Sequence, residues 1–173
     1  MANTTSGASK GAQIEPRTQK ITTFLWFDNN AEEAVNFYVS TFKNSKIQHI
    51  ARYGETGPGP KGSVMTVDFE LDGESFTALN GGPTFKFNEA ISLVVHCKTQ
   101  EEVDYFWEKL SEGGQKIECG WLKDKYGLAW QIVPEVFLDA IRDKDQEKVD
   151  RAMAAMMKMK KLEIKPLLEA MNG

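Results

Sequence analysis

The stretch CGWLKDKYGLAWQIVP, Cys119 to Pro134, decides the fold. Asp124-Lys125-Tyr126-Gly127 has the composition of a turn, and an extended run lies on either side, so the spacing predicts a β-hairpin. On its second arm Leu128, Trp130 and Ile132 alternate with Ala129, Gln131 and Val133. The first set is bulky and apolar and should face helices. The second set carries Gln131 and should face something wetter. A sheet with a dry face and a wet, concave face is how a small-molecule cup is built.

Upstream of the hairpin, Ala90 to His96 predicts a strand, with Ile91, Leu93 and Val95 opposite Ala90, Ser92 and Val94. Thr99 with Glu102 forms a capping box. The helix it opens carries Val103, Phe106, Trp107 and Leu110 and stops at Gly113-Gly114. The same order occurs earlier. Ile21 to Phe27 predicts a strand with Thr22, Phe24 and Trp26 on its wetter face, and Asn30 with Glu33 predicts a capping box. Ala31 to Phe42 predicts an amphipathic helix and Ser45 to Tyr53 a second strand. Ser63 to Leu71 and Glu74 to Leu79 then form a hairpin around Asp72-Gly73. Glu32-Glu33 corresponds to Glu101-Glu102, and Phe37-Tyr38 to Phe106-Trp107, so the chain holds two copies of one module.

The remaining segments are simpler. Gly54 to Gly62 is rich in Gly and Pro but matches no phosphate-binding spacing, and is expected to be a flexible loop at the cup mouth. A short helix should follow Pro134, and a longer one should cover Lys144 to Lys161. Val149, Met153, Met156 and Met157 line one side of the longer helix, a stripe suited to packing or to a sister subunit. The expected organisation is a loosely attached arm over residues 1–19, a domain over 20–143 and a helical extension over 144–173. Within the domain, module one covers about 20–83 and module two about 88–134.

The 173 residues suit one domain, and a hydrophobic fraction of 41% with 27% charged is ordinary for a globular protein. A net charge of -4 and the lack of a basic run argue against a nucleic-acid partner. No apolar run approaches the ~20 residues of a membrane span. Two cysteines make no disulfide framework, so a reducing cytoplasm is expected.

Taken together, WFDNNAEEAVNFY (Trp26 to Tyr38), LNGGP (Leu79 to Pro83) and the hairpin motif resemble the PhnB-like branch of the vicinal-oxygen-chelate superfamily. That superfamily includes glyoxalase I, extradiol dioxygenases and bleomycin-resistance proteins. Its branch members often carry the label 3-demethylubiquinone-9 3-methyltransferase. This sequence has no glycine-rich strand-to-helix turn with a following acidic residue to hold S-adenosylmethionine. The resemblance implies an α+β fold of two βαβββ modules whose sheets curve around a cup, in a homodimer, to which the helices read after Pro134 add a C-terminal extension.

The resemblance also implies four cup-facing metal-ligand positions, which fall at Thr22, Asp68, Ala90 and Gln131. Of these, Asp68 is a good anionic ligand and Ala90 cannot bind at all. The two histidines offer no substitute by this reading: His96 lies beyond the ligand position and His49 belongs to another strand. No metal cofactor is expected; a divalent ion held by displaced ligands is the alternative.

In place of a metal, Asp68 is a candidate general base and Gln131 a candidate donor to an oxyanion. The plainer readings are an exposed strand carboxylate and a cross-strand hydrogen bond. Phe24, Trp26 and Trp121 are expected to wall the cup, with Thr22, Thr66, Ser92, Cys119 and Asn80 completing its lining. Cys119 is better read as a small packed residue than as a nucleophile, and Asn80 has turn chemistry as its plainer reading. Trp107 and Trp130 belong to the core. The expected function is binding of a small organic molecule, with or without metal-independent turnover. The rivals are a sequestering protein for drugs or metabolites, an interaction module with a filled cup, and a metal-dependent lyase or dioxygenase.

Overall fold

A computed structural model describes residues 19–173. Apart from Gln19, the expected N-terminal arm lies outside the described residues.

Module one runs β1 (Thr23–Phe27), α1 (Ala31–Thr41), β2 (Lys46–Arg52), β3 (Val64–Leu71) and β4 (Glu74–Asn80). Module two runs β5 (Leu93–Cys97), α2 (Gln100–Ser111), β6 (Gln115–Lys116), β7 (Trp121–Lys123) and β8 (Ala129–Pro134). Each module makes its own four-stranded sheet, ordered β1-β4-β3-β2 and β5-β8-β7-β6. In both, the first strand lies parallel to the last and the other pairs are antiparallel. The architecture is thus α+β, two βαβββ modules, as the repeat in the sequence predicts. No helix among the described residues is long and apolar enough to cross a membrane.

Several boundaries differ from the sequence reading. β1 starts at Thr23, so Thr22 lies just before the strand. β5 starts at Leu93, which leaves Ala90 in an exposed turn where its N–H donates to Asn88. Ile91 is 72% exposed rather than part of the core face. Thr99 does cap α2, accepting from the Glu102 N–H at 3.3 Å. The Asn30 side chain makes no cap bond to α1. Instead Asn80 reaches from the end of β4, accepting from the Ala31 N–H at 2.8 Å and donating to the Val64 carbonyl at 3.1 Å. A tertiary neighbour has taken over a local cap.

The two modules share one core. Leu25, Phe27, Val67, Phe69 and Ala78 of the first sheet meet Val95, Leu122, Leu128, Trp130 and Ile132 of the second, with α1 and α2 contributing. Tyr38 of α1 sits at the junction, its ring centroid 6.4 Å from Phe69 and 5.5 Å from Trp130. Its hydroxyl donates to Asp124 at 2.7 Å. Asp124 is buried in the β7–β8 turn and also accepts from Trp130 Nε1 and from the N–H groups of Tyr126 and Leu128. Burial holds this carboxyl above its ordinary range, and the four hydrogen bonds offset only part of that rise. The inner faces of the two sheets therefore look at each other across the helices, and their other faces point outward.

The C-terminal extension holds α3 (Glu135–Ala140), α4 (Gln146–Met156) and α5 (Ile164–Asn172). The single helix expected to Lys161 ends at Met156, and α5 is additional. The signal for α5 was Ile164, Leu167, Leu168 and Met171 at helical spacing. The methionine stripe divides: Met156 is buried with Ala152, Leu162, Leu167 and Val133, whereas Met153 and Met157 are exposed.

Asp124→Asn should lose about 3 kcal/mol, because the amide NH₂ would face two buried donors. Tyr38→Phe should lose only about 1 kcal/mol, since it removes one hydrogen bond and keeps the ring. Urea midpoints read both, and equal losses would contradict the central role given to the carboxylate. Asn80→Ala should lose about 1.5 kcal/mol, as a lost helix cap does, and Asn30→Ala close to nothing.

Candidate functional site

The outer face of the first sheet is set by strand register. Phe24, Thr77, Asp68 and His49 stand in one row across β1, β4, β3 and β2. Trp26, Leu79, Thr66 and Ala51 stand in the next. Phe24 is 57% exposed. Thr77 is buried and its hydroxyl donates to Asp68 at 2.6 Å. Phe24, Trp26, Thr66 and Asp68 therefore share a face, as the alternation of the sequence implies.

Trp26 is pinned at the end of that face. Its Nε1 donates to the Gly82 carbonyl at 2.8 Å, and Phe85 meets its ring edge-on at 5.0 Å. A Cβ on Gly81 would collide with the indole, so glycine there is what allows the backbone to approach the ring. Asn80 belongs to the structural work below this ring. It caps α1, and its carbonyl accepts from Tyr53 at 2.7 Å. The Gly- and Pro-rich loop packs on Tyr53. Gly57 and Gly59 lie against the Tyr53 ring, and the loop borders a depression of about 770 Å³ shared with Asp28, Asn30, Glu32 and Arg52.

The outer face of the second sheet carries Val94, Gln131 and Trp121 in one row. Gln131 donates to Ser92 at 2.8 Å, which realises the cross-strand reading of this residue. Val94 is 42% exposed. Val133, on the same face, is buried by the C-terminal helices. Cys119 is not part of the row. It precedes β7 with φ 60°, its N–H donates to the Met159 carbonyl, and its Sγ lies 3.9 Å from Met157 Sδ. The extension thus covers a residue expected in the cup. Cys97 is fully buried and its thiol is pushed up to about 12, chiefly by burial, so it is no nucleophile.

One chain does not bring these sets together. Asp68 and Gln131 lie on outward faces of sheets whose inner faces share a core. The metal implied by the resemblance does not fit the donors present. Asp68 accepts from Thr77, Gln131 is engaged with Ser92, and Ala90 and Thr22 lie outside the strands. Among the described residues no three His, Cys, Asp or Glu side chains cluster as a metal site. His49 lies on β2, a different strand from the implied ligand positions, as the sequence reading has it. It stands directly opposite Asp68 on the outer face. The overlooked signal was Ile47 and Ile50, three residues apart yet both packed on the core, which requires an irregularity between them.

Comparison with known proteins follows the same lines. The 3-demethylubiquinone-9 3-methyltransferase family profile matches residues 19–133. A comparison with curated proteins gives no match. A solved structure from Bacillus cereus is described as a putative 3-demethylubiquinone-9 3-methyltransferase, PhnB protein. It is 43% identical, covering 67% of this chain and 99% of its own, with a TM-score of 0.61. A Pseudomonas aeruginosa protein, 19% identical over 68% of this chain and 98% of its own, has a TM-score of 0.56 and supports the fold alone. The family match and the Bacillus cereus relative show that the chain belongs to the 3-demethylubiquinone-9 3-methyltransferase family.

Proposed function

We propose that this protein binds a small organic molecule without the superfamily's metal set, and does so as a homodimer. The observation that carries the reading is the outward pair of sheet faces. Each places exposed apolar side chains, Phe24 on one and Val94 on the other, beside a polar centre, Asp68 or Gln131. An exposed apolar patch rimmed by polar groups marks a binding surface. Because the two faces of one chain point apart, a closed cup needs the first sheet of one copy and the second sheet of another. In such a cup Phe24, Trp26 and Trp121 wall the ligand, and Asp68 and Gln131 supply its polar contacts. Ser92 orients Gln131, and Thr77 orients Asp68. Turnover would use Asp68 as base and Gln131 as donor to developing negative charge. Sequestration of a drug or metabolite uses the same walls with no chemistry. Methyl transfer is not proposed, since β1 enters α1 through Asp28-Asn29-Asn30 and not a glycine-rich turn. Two unpaired cysteines support a reducing compartment.

Light scattering should give twice the 19.4 kDa chain mass. A thermal-shift panel of α-ketoacids, thiol adducts and aromatic drugs should find a stabilising ligand whose effect is lost in Asp68→Asn and in Gln131→Ala. Stabilisation by Ni²⁺, Zn²⁺ or Mn²⁺ that vanishes in Asp68→Asn would replace this reading with metal-dependent lyase or dioxygenase chemistry. Mixed dimers of Asp68→Asn and Gln131→Ala chains should recover one intact cup per dimer. No recovery would mean that each cup forms within one chain.

A further inference from the structure

We propose that His49 is the second anchor of the cup, and that the ligand is elongated, with a flat apolar end and an acceptor-bearing tail. The inference rests on the small-molecule reading above and adds the shape and polarity of its ligand. It begins with the β-bulge in β2. Ile47 pairs with Phe69, but His49 pairs with Asp68, so Gln48 is the extra residue. In an unbroken strand His49 would share the face of Ile47, which packs on the core. The extra residue turns His49 to the outer face instead. Register then recovers, with Ile50 opposite the buried Val67 and Ala51 opposite Thr66. Bulges re-aim single side chains, and they are over-represented beside functional sites.

The row that results is polarised. Phe24 stands at the β1 edge with Trp26 beside it, both aromatic. Thr77 and Asp68 hold the middle, joined by a hydrogen bond of 2.6 Å. His49 stands exposed on β2, at the opposite edge. Three interstrand spacings separate the ends of the row, about 14 Å. In the next row Thr66 and Ala51 are small, leaving a shallow floor on that side of His49. An aromatic ring stacked on Phe24 and Trp26 would have to send a chain across β4 and β3 to meet the imidazole. An imidazole N–H donates well to a carbonyl or carboxylate oxygen. The acceptor group is therefore favoured at the His49 end of the row.

The test uses a graded series of fluorescent acids on the intact protein: dansylglycine, 6-dansylaminohexanoate and 11-dansylaminoundecanoate. All share one ring and differ in how far the carboxylate reaches. The hexanoate, whose extended tail matches the row, should bind the wild type more tightly than dansylglycine. His49→Ala should weaken the hexanoate about tenfold, the worth of one charge-assisted hydrogen bond, and leave dansylglycine within a factor of two. His49→Gln, which keeps an N–H donor, should recover most of the loss. Trp26→Phe should weaken all three compounds alike. If Trp26→Phe weakens binding but His49→Ala leaves the hexanoate unchanged, the His49 anchor fails and the binding reading stands. If none of the three binds the wild type, the elongated-ligand proposal fails, and the thermal-shift panel decides the binding reading by itself.

Discussion

The buried carboxylate of Asp124 is the constraint on which the rest of the molecule depends. A charge taken out of water is tolerable only when its lone pairs are filled. Here two backbone N–H groups of its own turn, the Trp130 indole and the Tyr38 hydroxyl fill them. Three of those donors shape the β7–β8 hairpin. The fourth comes from α1, in the other module. One side chain therefore folds the second module's hairpin and docks the first module upon it. Neighbouring aromatic contacts extend the seam, with Phe42 stacked between Phe106 and Trp130.

That docking has a geometric consequence. With Tyr38 between Phe69 and Trp130, the inner faces of both sheets are spent on a common core. Their outer faces diverge, with Phe24, Val94 and His49 exposed upon them. The first sheet's outer face is the better organised of the two. Trp26 is pinned by the Gly81-Gly82 backbone, Asp68 is oriented by Thr77, and Asn80 ties the end of β4 to the start of α1. The Gln48 bulge adds His49 to this face.

The C-terminal helices lie beyond the family match, which ends at residue 133. They dock on the second module through the carbonyls of Met159 and Lys160, which accept from Cys119 and Gly120. Gly120, at φ 80°, is close-packed against the Ile132 carbonyl and Leu162, and a side chain there would intrude on both. Lys161 pairs with Asp104, and Gln100 bonds the backbone of Leu162 and Ile164. The extension thus reshapes the family fold at one end, taking Cys119 and Val133 out of the second sheet's outer face.

By itself the sequence determined the modules. Period-two and helical patterns, the Asp72-Gly73 turn and the Thr99 cap are local, and the duplication of the Glu-Glu and aromatic pairs is legible without coordinates. The faces of Phe24, Trp26, Asp68 and Gln131 were legible too, because alternation is a local property of a strand. Only the tertiary structure decided what those faces meet. Asn30 looked like the cap of α1 until Asn80, 49 residues away from the bonded Ala31 N–H, took its place. Cys119 read as a cup residue until the Met157 and Met159 segment covered it. His49 read only as a residue of another strand, and alternation cannot foresee the inserted residue that sets its face. A bulge is a property of two strands in register, and register depends on a partner that the local sequence does not contain.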